Sequence, residues 1–264
     1  MVSLYLRMIG ARVRAQLQYR VSFLLDLFGF MLLTWIEFAS LVVLLNRFEG
    51  IAGWHVPEVA ILYGFSSIAF GLAEMFGRGF ERIEELIQRG GFDSLLTRPL
   101  GSFFQVLTSE FQLRRLGRVL QGSLILGYAF ANLPITWNPA RLLIIPVTIL
   151  SGGVIFTTLL MIGATITFWT IRTPEVINIF TSGGYQLSSY PLHIFQEWMR
   201  NLFLMIIPVA FSSYPAALFL LGRQDPHGLP SALAWFAPLA AVLFFGAGYL
   251  FWRIGVSKYT STGT

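Results

Sequence analysis

The sequence has no cysteine, one lysine (Lys258) and three histidines, and only 12% of its 264 residues are charged. Globular chains carry about 25% charged residues. Each shortage excludes something. Without cysteine there is no disulfide, no thiolate metal site and no cysteine nucleophile, and the redox compartment cannot be read. A phosphate-binding loop needs a lysine followed by Ser or Thr after a glycine-rich turn, whereas Lys258 is followed by Tyr259. The chain therefore carries no such nucleotide site. His55, His193 and His227 stand far apart and none belongs to an H-E-x-x-H pair. No G-x-S-x-G elbow is present either. No catalytic residue and no metal ligand set stands out, and an intramembrane enzyme of unfamiliar type is the remaining enzymatic alternative.

What is present is apolar. Hydrophobic residues make up 55% of the chain and the mean hydropathy is +0.68. That composition defines an all-α integral membrane protein with room for about six spans of about 20 residues. One domain over residues 1–264 is expected, because no soluble block exceeds the polar stretch 78–99. No internal repeat or low-complexity run interrupts it. The net charge of +5 is no sign of nucleic acid, since 17 of the 18 basic residues are arginines scattered at the ends of apolar runs. Such a distribution orients a membrane protein. Arginines 7, 12, 14 and 20 interrupt the first apolar stretch, so no cleavable signal is expected.

In order along the chain, residues 3–20 read as an interfacial helix, with Leu4, Met8, Ala11, Ala15 and Leu17 on one face and Arg7, Arg14 and Gln18 around it. The alternative is a frayed start of the first span. Spans follow near 21–45, which holds Asp26 and Glu37, and near 59–76, which ends at Glu74. Span 3 lies within 113–133, behind Arg114, Arg115 and Arg118. Span 4 comes from the uncharged run 142–171, closed by Arg172. Its Gly152, Gly153, Thr157, Gly163, Ala164 and Thr167 suit close helix packing. The region 175–222 is broken by Pro191, Pro208 and Pro215, and a last span covers 229–252.

Charge bias settles the count of spans. With six, and with 190–222 as a re-entrant hairpin on the outer side that carries Glu197 and Arg200, 14 basic residues lie inside and four outside. Seven spans would move Arg253 and Lys258 outside, against the positive-inside rule. Both termini are then cytoplasmic.

Residues 78–99 hold 8 of the 31 charged residues. Phe80, Ile83 and Ile87 recur at helical spacing, with Leu86 widening the stripe, so an amphipathic helix lying on a surface is expected. Gly90 and Gly91 stop it. Asp93 is expected to cap a second short helix over 94–98, closed by Pro99. The stretch is either a solvated loop or a docking element. Glu37, deep in a span, costs about 2.5–3.5 kcal/mol to insert. It is expected to face protein or a water-filled cavity.

This layout, the run GGFDSLLTRPLGSFFQVL over 90–107 and the run YPLHIFQEWMRNLFLMIIPVAFSSYPAALFLLG over 190–222 resemble the permease subunits of type-2 ABC exporters, in a bacterial branch with paired permeases and a separate ATPase. The resemblance implies a non-catalytic, multi-pass permease of the bacterial plasma (inner) membrane that exports a hydrophobic or amphipathic substrate. It implies a partner ABC ATPase dimer that carries the ATP and Mg, with no cofactor on this chain, and a second permease chain, identical or a sister. The cytoplasmic coupling helix would fall within 78–99. There Phe92, Leu95 and Leu96 would fill an apolar groove on the ATPase, while Glu84, Glu85, Asp93 and Arg98 orient it. Gly90, Gly91 and Pro99 would shape the turn. The competing readings are a stand-alone secondary carrier or channel, for which Glu37 is the one midplane candidate, and a membrane scaffold without transport.

Overall fold

The structure, a computed structural model, describes residues 2–48, 50–170 and 175–260, with backbone alone at 2–6 and 175–177. Arg172 and the Leu4 side chain lie outside it. Among the described residues the protein is an all-α membrane protein whose regular structure is entirely helical. Among the described residues, four helices are long and apolar enough to cross a bilayer: Arg20–Arg47, Val56–Gln88, Pro139–Thr170 and Ser231–Lys258.

Helix α1 (Val2–Gln18) stops at Tyr19, whose backbone is not helical, before α2 (Arg20–Arg47) begins. The Gln16 amide fixes α1 to the body by donating to the Phe111 carbonyl and accepting from the Leu113 amide at 3.0 Å. Ala11, Ala15 and Leu17 stay uncovered, while Met8, Ile9 and Val13 are partly covered.

Helix α3 (Val56–Glu81) is the central column. Pro57 sits in its first turn, where a missing N–H costs nothing, and the Glu58 carboxylate accepts the His55 amide at 2.8 Å. After α3 come three short helices, α4 (Ile83–Gln88), α5 (Gly91–Leu96) and α6 (Ser102–Ser109). Helix α7 (Leu116–Asn132) then runs back along α3, and α8 (Pro139–Thr170) packs on its other side. Span 2 was expected to end near residue 76, but the helix continues to Glu81. Phe80 thus belongs to the column, and the expected amphipathic helix is split at Arg82.

Lipid supplies no hydrophobic drive between helices, so close packing of small residues does the work. A Cβ on Gly122 of α7 would stand 2.9 Å from the Cβ of Ser67 on α3. The small residues expected in α8 are buried, apart from half-covered Thr157.

Helix α9 (Glu175–Ser188) breaks after 14 residues. The freed Ser188 carbonyl accepts the Ser66 hydroxyl at 2.9 Å and the Ser213 hydroxyl at 2.5 Å. Backbone groups at membrane depth need such internal partners. The chain continues through a 3-10 turn (Leu192–Ile194), α10 (Glu197–Asn201), a π turn (Leu202–Ile206) and a 3-10 turn (Val209–Ser212) into α11 (Tyr214–Leu221). Ser212 lies beside Gly152, in the middle of α8, so the path reaches well into the bundle there. It returns to the start of α3, where Arg223 meets the Glu58 carboxylate at 2.8 Å. The last long helix, α12 (Ala237–Lys258), begins later than expected, because a 3-10 turn (Ser231–Phe236) follows Pro230.

Gly79 gives the sharpest test of this packing. A Cβ there would lie 1.9 Å from the Val106 carbonyl oxygen of α6, whereas nothing lies within 4 Å of one on Gly127. Overpacking costs about 1–3 kcal/mol, while Ala in an open helix gains up to about 1 kcal/mol over Gly. Gly79→Ala is expected to lower the thermal unfolding midpoint in detergent and Gly127→Ala to leave it unchanged or raise it. Equal midpoints would contradict the contact.

Candidate coupling site

The polar stretch is built onto the bundle rather than hung from it. Gly90 has φ +66°, the left-handed conformation that glycine adopts without strain, and it precedes α5 as the N-cap. Asp93 is therefore not the N-cap. It stands in the first turn of α5, where a carboxylate suits the helix dipole, and the helix spans Gly91–Leu96 instead of 94–98. Gly91 has ordinary dihedrals, and a Cβ there would touch Leu86 at 3.3 Å. The Gln105 amide of α6 closes the far end by donating to the carbonyls of Leu95 at 2.8 Å and Leu100 at 2.6 Å.

Phe92 was expected to fill a groove on a partner. It is instead fully buried in this chain, 5.0 Å from the Phe168 ring of α8 and 4.9 Å from the Tyr259 ring after α12. Leu95 is buried as well. The physical reason is a nest of aromatics: Trp252 of α12 packs against Phe168, Phe80 and Phe103, and Phe80 meets Phe103. The small helices α4 and α5 add Ile83, Ile87, Phe92 and Leu95 to the same buried core. Sequence reasoning missed it because its members lie up to 179 positions apart. Burial, and after it the Asp93 carboxylate, raises the Tyr259 phenol above its usual range.

The remaining site residues form the outer layer. Leu96 is 45% exposed, and Arg98 and Pro99 are exposed beside it. Glu84 and Glu85 are half-covered: Gln88 donates to Glu84 at 3.1 Å, and Glu85 pairs with Arg89 at 3.0 Å and Arg82 at 3.3 Å. Arg82 also bonds Glu110. Exposed pairs of this kind contribute about 0–1 kcal/mol each, against about 3–5 kcal/mol for a buried Phe truncated to Ala. The aromatic nest, not the ion pairs, holds the segment.

Two polar features lie deeper. Arg115 and Arg118 converge on the Glu74 carboxylate at 2.9 and 3.4 Å, and Arg118 lies over the Phe70 and Tyr185 rings. The signal was one acid at the end of span 2 opposite a cluster of arginines. Glu37 stands apart from the coupling segment. It lies on the open side of α2 and is reached by the Tyr63 hydroxyl at 3.4 Å, which also donates to the Thr34 carbonyl at 3.0 Å.

Phe92→Ala is accordingly expected to destabilise the permease itself by about 3–5 kcal/mol. Leu96→Ala should stay within about 0.5 kcal/mol of the parent. Chemical or thermal unfolding in detergent measures both, and a parental midpoint for Phe92→Ala would contradict the burial of the ring.

Comparison with known proteins agrees with this layout. Residues 31–263 match a family model described as ABC-2 family transporter protein. No curated protein and no solved structure matches the chain. With the match covering most of its length, the chain belongs to the ABC-2 transporter family, as a membrane permease subunit of an ABC transporter.

Proposed function

We propose that this permease is one of two membrane chains in an ATP-driven exporter of hydrophobic or amphipathic compounds, coupled to a separate ATPase dimer through residues 78–99. The carrying observation is an exposed tip on a rigid base. Leu96, Thr97, Arg98 and Pro99 point outward from α5, whose other face is locked through Phe92 to α8 and α12. A push on that tip is transmitted to two long helices instead of being lost in a loop. The ATPase contact then rests on Leu96 as the apolar anchor, with Arg98 and Arg89 giving orientation, and not on Phe92. ATP and Mg belong to the partner chain.

The split of 14 basic residues inside and four outside supports a six-span path with both termini in the cytoplasm of a bacterial inner membrane. A second permease chain is supported by α2, which leaves Leu33, Glu37, Ser40 and Leu44 uncovered along one strip. A carboxylate on such a strip is costly against lipid and is tolerated against protein or water.

Replacing Leu96 by Asp together with Arg98 by Glu is expected to leave the unfolding midpoint unchanged. Co-purifying Mg-dependent ATP hydrolysis should fall about tenfold or more, the loss of about 1.4 kcal/mol of binding. Retention of full coupled hydrolysis would remove the docking assignment. At Glu37, the Gln variant should keep the permease pair together and Glu37→Leu should weaken it. Native mass spectrometry of the purified complex reads both, and an intact pair with full transport in Glu37→Leu would overturn the assignment.

A further inference from the structure

The end of the bundle opposite the coupling segment carries a polar cluster that the proposed function leaves unused. In the loop from α2 to α3, Gly50, Ala52 and Gly53 have φ of +110°, +50° and +78°. The glycines adopt such angles freely, but Ala52 is strained there. A strained turn keeps its shape only where its surroundings hold it. Arg223 does part of this, donating to the Gly53 carbonyl at 2.6 Å and to Glu58 at 2.8 Å. Its guanidinium also lies over the ring of Trp54. Trp54 is 2% exposed, stacks on Tyr214 of α11 at 5.9 Å and stands 6.2 Å from the ring of His193.

His193 is where the broken segment enters this cluster, and Asp225 fixes its proton. One Asp225 oxygen accepts the amides of His227 at 2.9 Å and Leu229 at 3.2 Å, and the other accepts the Tyr214 hydroxyl. That hydroxyl has one proton and gives it to Asp225. Across its 3.0 Å contact with His193 Nδ1 it can therefore only accept. The ring thus carries its proton on Nδ1 and a bare lone pair on Nε2. Nε2 is buried and meets no hydrogen-bond partner among the described residues. A second proton would put a charged N–H against a surface with nothing in position to accept it. Burial is the largest influence and holds the ring below the ordinary histidine range. The Ala52 carbonyl and Asp225 pull it upward, while His227 and Arg223 push it down.

We propose that His193 is a proton-operated latch between the 190–195 stretch and the loop joining α2 to α3. The neutral ring holds the two together, and protonation frees them. The closed state binds fewer protons than the open one. The latch is therefore at full strength above the ordinary histidine value of about 6.5 and weakens as the pH falls below it. Release lets the Ala52 turn relax and the broken segment move against the start of α3. The inference uses only contacts within this chain, so it stands or falls separately from the ATPase assignment.

The test uses the full chain purified in detergent with whatever subunits accompany it. Amide hydrogen exchange is followed at about pH 7.5 and about pH 5, on either side of the histidine range, with the intrinsic pH dependence of exchange divided out. Protection over 50–55 and 192–195 should fall at least about threefold at the lower pH, under a ceiling of about thirtyfold set by a free ring titrating at about 6.5. Residues 60–70 of α3 should keep theirs. His193→Asn places an amide N–H where Nδ1–H stands and cannot titrate, so its protection should be equal at the two pH values. His55→Gln and His227→Gln, which alter the other two histidines, should keep the parental response. Parental protection that is unchanged or higher at the lower pH would overturn the proposal. So would a response that persists in His193→Asn, or one that vanishes in His55→Gln or His227→Gln. Should His193→Asn fail to fold, the parent and the other two variants still decide.

Discussion

Close approach of α3 to its neighbours is the constraint on which the other features depend. With lipid outside, bundle stability comes from van der Waals contact and internal hydrogen bonds, because burying apolar surface yields little when the solvent is itself apolar. Gly122 against Ser67 and Gly79 against the Val106 carbonyl bring backbones together at distances that a larger side chain would forbid. The same contacts bring the hydroxyls of Ser66 and Ser67 within reach of α9, where they meet the Ser188 carbonyl and the Tyr185 hydroxyl. The broken region thus finds partners inside the bundle for the Ser188 carbonyl that its break frees.

That packing also sets the mechanics of the arginine-rich end. α3 runs past the expected membrane boundary into α4, and α5 folds back so that Phe92 reaches the ends of α8 and α12. Three helices therefore end in one aromatic nest. Aromatic pairs add about 0.5–1.5 kcal/mol beyond burial, so several together outweigh the exposed ion pairs around them. The result is a stiff platform with a small polar tip.

Surfaces left uncovered carry as much information as the core. α2 is the least covered of the four long helices, and its open circumference divides into two strips by helical spacing. One strip contains a carboxylate and suits protein. The other, along Val21, Leu25, Phe28 and Leu32, is wholly apolar and suits acyl chains. The Arg115–Glu74–Arg118 cluster ties the start of α7 to α3.

The sequence by itself determined the class of the molecule, its long helices and the polar stretch at 78–99. These follow from composition and from periodicities of three to four residues, which act locally and need no fold to be read. The small residues of α8 were legible for the same reason. Tertiary structure alone decided which face of the polar stretch is available. Phe92, Leu95 and Leu96 are adjacent apolar residues that look alike in sequence. A six-residue helix buries two of them, Phe92 against Phe168 and Tyr259, and leaves the third outside. Gly90 rather than Asp93 starts that helix because the chain must reverse there, and only the packed neighbours dictate the reversal. Partners remote in the chain meet through helix packing, and local patterns carry no record of which remote residues will meet.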